Sequence, residues 1–150
     1  MATLDEMKAL IGSKIGTSNW VLIDQELIDK FADATGDHQF IHVDLEMAKM
    51  TPFGQTIAHG FLTLSLIPML SASANLPHLD NIKMAVNYGS DKLRFLAPVK
   101  SGKRIRAHFT LASLEEKRPG QVQQMQTITV EIEGEEKPAL VCEWISQTFV

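Results

Sequence analysis

The stretch from Thr56 to Ala74, TIAHGFLTLSLIPMLSASA, limits what this chain can become more than any other segment. Nearly every side chain in it is small or apolar, so neither face of a helix built from it suits water. Its length approaches the ~20 residues that cross a bilayer. Against a span, His59, Pro68 and five Ser or Thr residues interrupt the run, and no basic flank marks an orientation. A helix that is apolar all round in a chain of 150 residues is more simply one that a fold closes around. Residues 56–74 are therefore read as a central, buried helix, and the remainder of the chain has to cover it.

The cover is visible downstream. From Asn81 the apolar period becomes two: Ile82, Met84, Val86 and Tyr88, then Ile105, Ala107, Phe109 and Leu111, then Ile128, Val130 and Ile132, with Leu140, Cys142 and Trp144 on one side of a last strand. Alternation of this kind marks antiparallel strands with one face buried. Gly89, the segment from Pro98 to Gly102, Pro119-Gly120 and Gly134 read as turns between them. Helices early and strands late indicate α+β, one antiparallel sheet packed on a long helix.

Upstream, Thr3 and Glu6 have the spacing of a capping box before Leu4, Met7, Leu10 and Ile11, with Gly12 as the stop. Residues 19–23 read as extended. Asp24 is placed to cap a helix carrying Leu27, Ile28, Phe31 and Ala32, which Gly36 ends by entering the left-handed region without a Cβ clash. Asp44 is placed to cap a third, short helix. No repeat, low-complexity run or linker divides residues 1–150, so a single domain is expected.

Acidic residues outnumber basic ones, 18 to 14, and the net charge of −4 argues against general nucleic-acid binding. Cys142 stands alone, so no intrachain disulfide and no thiolate metal cage can form. The first residues carry acids where a secretory signal would carry a basic and then an apolar block. A reducing cytoplasm is the expected compartment, with no membrane partner.

Chemistry concentrates between Ala34 and Gly60, in ATGDHQFIHVDLEMAKMTPFGQTIAHG. Asp37 and His42 fall on a predicted loop after the Gly36 stop, and a His59-Gly60 pair opens the apolar run. A carboxylate and an imidazole at one site can share a water, one group accepting a proton and the other donating one. Spacing alone leaves a second reading open, in which Asp37 binds nearby backbone N–H groups and His42 is a surface residue ahead of the Asp44 cap. On the same footing His59 reads as a helix-start residue, and His38, His78 and His108 as solvent-facing.

Two segments, ATGDHQFIHVD and TPFGQTIAHGFLTLSLI, resemble the MaoC-like dehydratases, the family of (R)-specific enoyl-CoA hydratases, and look closest to its nodulation protein N-like branch. A third, NYGSDKLRFLAPVKSGKRIRA, is similar to the family's strand pair and Pro-Val turn. The likeness runs from about Trp20 to Arg106 in order and spacing. It implies a hot-dog fold, an antiparallel sheet wrapped around one long helix, and a homodimer formed through the sheet. It also implies that Asp37 and His42 are the catalytic pair of the motif G-D-x-N-P-hydrophobic-H, and that Gly60 offers its backbone N–H to the thioester oxygen. That last role requires the helix to begin near Ala58 or His59, since a start at Thr56 would consume the Gly60 N–H inside the helix.

The family's Asn-Pro is Gln39-Phe40 in this chain. A Gln39 amide would shape the loop with longer reach, and Phe40 would pack under the loop or line an acyl pocket. Gln39, Phe40 and His59 join Gly60 as expected substrate-binding residues. The activity so implied is reversible hydration of trans-2-enoyl-CoA to the (3R)-3-hydroxyacyl-CoA, with no metal and no cofactor other than the coenzyme A carried by the substrate. Acyl carrier protein would present the same phosphopantetheine arm. Thioester hydrolysis, or acyl-thioester binding by a non-catalytic partner subunit, are the competing readings.

Six basic residues, Lys92, Arg94, Lys100, Lys103, Arg104 and Arg106, fall within 15 residues that hold no acid. Such a patch suits the phosphates of coenzyme A, with Lys92, Arg94, Lys103 and Arg104 as candidates, or an acidic carrier protein. It equally suits a solvated strand whose charges discourage edge pairing.

Overall fold

The first helix, α1 (Leu4–Lys8), is held by the reciprocal cap its sequence announces. The Thr3 hydroxyl accepts from the Glu6 N–H, and the Glu6 carboxylate accepts from the Thr3 N–H. In this computed structural model, which describes residues 1–150, two short strands follow, β1 (Lys14–Thr17) and β2 (Val21–Ile23). Asp24 then caps α2 (Gln25–Thr35) through the Leu27 N–H, and Gly36 closes it at φ 80°. A turn of helix that the sequence reading did not anticipate, α3 (Phe40–Val43), precedes the short helix capped by Asp44, α4 (Leu45–Ala48).

The apolar run departs from the expected single helix over 56–74. Its helical part begins at Gly60 and comes in two pieces, α5 (Gly60–Ser65) and α6 (Ile67–Ser73), which join at Leu66. The late start has a tertiary cause. Thr56 gives its hydroxyl to Gln25 Oε1, the Ile57 N–H binds the Ile41 carbonyl, and the Ala58 N–H binds the Val99 carbonyl. The carbonyls are spent as well, that of Thr56 on the Ser101 N–H and that of Ile57 on the His42 Nδ1–H, so neither can serve the Gly60 and Phe61 N–H groups in a helix begun at Thr56. The interruption follows from Pro68, which has no N–H to give to the carbonyl four residues back.

Four long strands complete the chain: β3 (Met84–Phe95), β4 (Lys103–Arg118), β5 (Gln121–Ile132) and β6 (Leu140–Phe149). They form one antiparallel sheet in the order β1-β4-β5-β6-β3, with β2 also on β4. The inward rows of β4 and β5 are the ones the period-two pattern names. Ile105, Ala107, Phe109, Ile128, Val130 and Ile132 enclose Leu62, Ile67 and Leu70 of the helix, with Leu140 and Cys142 from β6. A smaller cluster of Met7, Leu79, Leu111, Leu114 and Val122 anchors α1 at the far end of the sheet. A sheet curled around one central helix is the hot-dog arrangement.

Two expectations need correction here. The central helix is not buried all round: Phe61 is 64% exposed and Met69 also faces solvent. The strand read at residues 81–88 is not half-buried either. Met84, Val86 and Tyr88 are all exposed, because β3 is the edge of the sheet and nothing in a single chain covers it. Gly89 is no turn: it pairs with Ile145 inside β3, just after a register shift between Asn87 and Gly89, and a second irregularity lies between Asp91 and Arg94.

Candidate active site

The site forms where α2 ends, α3 turns and α5 begins. After Gly36 the chain runs through Asp37, whose carboxylate accepts the Gln39 N–H at 3.3 Å. This contact shapes the loop in place of the Gln39 side chain, which makes no cap to α3. His42 lies on α3 rather than on the predicted loop. It is 6% exposed, and its Nδ1–H donates to the Ile57 carbonyl at 2.8 Å. Because a carbonyl can only accept, that bond fixes the tautomer and leaves Nε2 with a free lone pair. Burial comes first among the causes that lower the pKa of His42 below the ordinary histidine value, with the neighbouring His59 adding to it. His42 is thus a neutral imidazole presenting a basic nitrogen.

Gln25, the first residue of α2, holds this arrangement from behind. Its amide donates to the His42 carbonyl at 2.7 Å, while its oxygen accepts the Thr56 hydroxyl at 2.6 Å. No motif or spacing signals this role in the sequence.

His59 sits at the N-cap of α5 and is 2% exposed. Its ring stacks on that of His42, with centroids 3.8 Å apart and planes at 25°, and meets Phe31 at 4.9 Å with planes tilted by 58°. His59 Nε2 donates to the Asp37 carbonyl at 3.0 Å. The ligand-capable atoms of Asp37, His42 and His59 all fall within 4.8 Å of one another. His42 Nδ1 is spent on the Ile57 carbonyl and His59 Nε2 on the Asp37 carbonyl, so each imidazole keeps one ring nitrogen, that of His59 being buried without a partner.

The backbone turns from extended at His59 (ψ 138°) into α5, so Gly60 is the first helical residue and its N–H has no partner within the helix. A Cβ on Gly60 would meet the Phe95 ring at 2.8 Å. Here the missing side chain makes room for Phe95, itself edge-on to Phe61 at 5.7 Å. A cavity of about 250 Å³ opens beside Gly60, between Phe53, Ile57, Thr63, Phe95 and Ala139. Phe53 lines it; Phe40, the residue expected to pack under the loop or line an acyl pocket, is exposed and does not.

Half of the basic patch is paired with carboxylates in the fold. Arg104 pairs with Glu133 and Arg106 with Glu131, which also takes the His108 Nε2–H, while Lys92 pairs with Glu143. Hydrogen bonds from Arg106 and then His108 hold the Glu131 carboxyl below the usual range. Arg104 and Arg106 alternate with the buried row of β4 and therefore lie on the outer face of the sheet. There the Arg106 guanidinium stands 4.3 Å over the Trp20 ring. Of the four phosphate candidates, Lys92 and Arg104 are thus committed to carboxylates, and only Arg94 and Lys103 are without one. Cys142 is buried, and burial pushes its thiol pKa up.

Residues 6–135 match the family model for the MaoC like domain. The chain belongs to the MaoC-like dehydratase family. Over 140 residues it is 50% identical to 3-hydroxyacyl-thioester dehydratase Z of Mycobacterium tuberculosis, covering 93% of this chain and 91% of the relative. Over 145 residues it is 45% identical to Nodulation protein N of Rhizobium meliloti, covering 96% and 89% respectively. Among solved structures, the (R)-hydratase from A. caviae superposes with a TM-score of 0.72 at 24% identity, over 90% of this chain and 96% of that one. At that identity the likeness concerns the fold. No helix of this family member is long and apolar enough to cross a membrane.

Proposed function

We propose that this MaoC-like protein reversibly hydrates trans-2-enoyl thioesters to (3R)-3-hydroxyacyl thioesters, with Asp37 and His42 as the catalytic pair. The observation that carries the reading is the Asp37 carboxylate within 4.8 Å of a ring nitrogen of the buried His42, whose Nδ1 is held by the Ile57 carbonyl, next to the unbonded N–H of Gly60. A water bound between carboxylate and imidazole loses a proton to the pair as its oxygen bonds to C3. The electron pair of the C2–C3 double bond moves toward the thioester, and the charge gathering on the carbonyl oxygen is met by the Gly60 N–H. The pair then returns a proton to C2, so one water is added and nothing else is consumed. Asp37 and His42 act as a coupled unit, and the two proton transfers belong to the pair.

The proposed assembly is a homodimer through β3. That strand offers an unpaired backbone edge of 12 residues with Met84, Val86, Tyr88 and Phe95 exposed, a surface that isolated chains seldom leave open. The substrate carrier is coenzyme A or an acyl carrier protein, which share the phosphopantetheine arm. The proposed compartment is the cytoplasm, and the proposed reaction uses no cofactor beyond the coenzyme A carried by the substrate.

The test is turnover of crotonyl-CoA, followed by loss of the conjugated thioester absorbance and by the configuration of the product. Asp37→Asn and His42→Ala should each lower the rate by about 10²–10⁴-fold while circular dichroism stays unchanged. Near-normal turnover in either folded variant overturns the pair, and thiol release in place of hydration overturns the reaction.

A further inference from the structure

His59 reaches further into the site than a helix-start residue needs to. N-cap positions favour Ser, Thr, Asp and Asn because their short side chains accept helix N–H bonds. His59 holds the N-cap of α5 and makes no such bond. Its ring packs instead against Phe31 and His42, and its Nε2 contacts the Asp37 carbonyl. That contact requires the proton on Nε2, which leaves Nδ1 as a lone pair. This Nδ1 is buried and has no hydrogen-bond partner. A cap side chain has been given up, and a polar atom left unpaired, for a ring that touches both members of the Asp37–His42 pair.

We infer that His59 is the positioning residue of this site, holding the Asp37 loop by its carbonyl and the His42 ring by stacking, so that carboxylate and imidazole meet one water. The inference rests on the hydratase reading for its consequence in catalysis, but not for its geometry. The two rings carry complementary tautomers, His42 protonated on Nδ1 for Ile57 and His59 on Nε2 for Asp37. For His42 a second proton is disfavoured by burial and by the stacked His59. The titratable groups acting on His42 are His59, which disfavours its cation, and Asp37, which favours it. The extended backbone of His59 also leaves the Gly60 N–H outside the helix, so one residue touches all three parts of the site.

Two substitutions separate the contacts. His59→Phe keeps a flat ring against His42 and loses the donor to Asp37; His59→Gln keeps a donor and loses the ring. Each should lower kcat by about 10²-fold, the cost of small misplacements of reacting groups, with KM for crotonyl-CoA little changed. In both, removal of the second imidazole should move the acid limb of kcat/KM to higher pH, because His42 then protonates more readily. An NMR titration of the His42 ring carbons, which needs no turnover, should show the same upward movement. Unchanged kcat and an unchanged His42 titration in both variants would overturn the positioning role. A wild-type protein inert toward enoyl thioesters would instead remove the hydratase reading, leaving the NMR comparison to decide the coupling of the two rings.

Discussion

Strands β3 and β4 carry the same message in sequence and meet opposite fates. Ile82, Met84, Val86 and Tyr88 alternate as regularly as Ile105, Ala107, Phe109 and Leu111. Yet Phe109 and its row are 0% exposed, whereas Tyr88 is 66% exposed. The reason is position. Strand β4 lies inside the sheet with the helix across its inner face, while β3 is the last strand and has a neighbour on one side only. Period two declares that a strand has an apolar face. It does not say whether the cover for that face comes from the same chain.

That difference can be broken or sharpened by substitution. The largest effect belongs to Phe109→Ala, which empties the centre of the core and should cost about 3–5 kcal/mol in urea unfolding. Loss of one methyl from the same core in Ile128→Val should cost about 0.5–1.5 kcal/mol. Tyr88→Ser on β3 should change the stability of a dilute, unpaired chain by no more than about 0.5 kcal/mol. In the proposed dimer the same change should lower Tm more at high protein concentration than at low, and shift sedimentation toward the single chain. A Tyr88 variant as damaging as Phe109→Ala at every concentration would mean that β3 is covered within one chain after all.

The histidines offer a parallel contrast with a smaller readout. His38 is exposed, and its hydrogen bond to Asp33 raises its pKa; His42 is buried, and burial lowers its pKa. A raised value contributes stability below the ordinary 6.5 that is lost as pH climbs through the folded value. A lowered value works the other way. Stability is full above about 6.5 and falls as pH drops toward the folded-state value, because the unfolded chain then binds the extra proton. Thermal unfolding from pH 7.5 to 5 should therefore show a loss in the wild type that is smaller in His42→Asn. Exposure to solvent screens the His38 contribution, so His42 should dominate the difference.

Much of the site was legible in residue order, but its connections were not. Asp37, His42 and the His59-Gly60 pair stand out in one segment, and the family resemblance points to the same residues. That His59 stacks on His42 and holds Asp37 is invisible to spacing, since 17 and 22 residues separate them. The basic patch shows the converse. Six cations in 15 residues look like one unneutralised patch until Glu131, Glu133 and Glu143 arrive from the neighbouring strands and pair with three of them. A strand's partners are chosen across the sheet, and no local window contains them.

What the sequence determined by itself is whatever closes within a few residues. Thr3, Asp24 and Asp44 cap their helices, Gly36 takes the left-handed turn, and the inward rows of β4 and β5 go inward. These outcomes follow from hydrogen bonds three residues long and from the two-residue repeat of a strand. Tertiary structure alone decided where the central helix begins. The Thr56 and Ile57 carbonyls, which a helix begun at Thr56 would give to Gly60 and Phe61, are taken by the Ser101 N–H and the His42 Nδ1–H, so Gly60 starts the helix with its own N–H unspent. A backbone acceptor bonds whichever donor the packing brings near, and for these residues the donors come from two other parts of the chain.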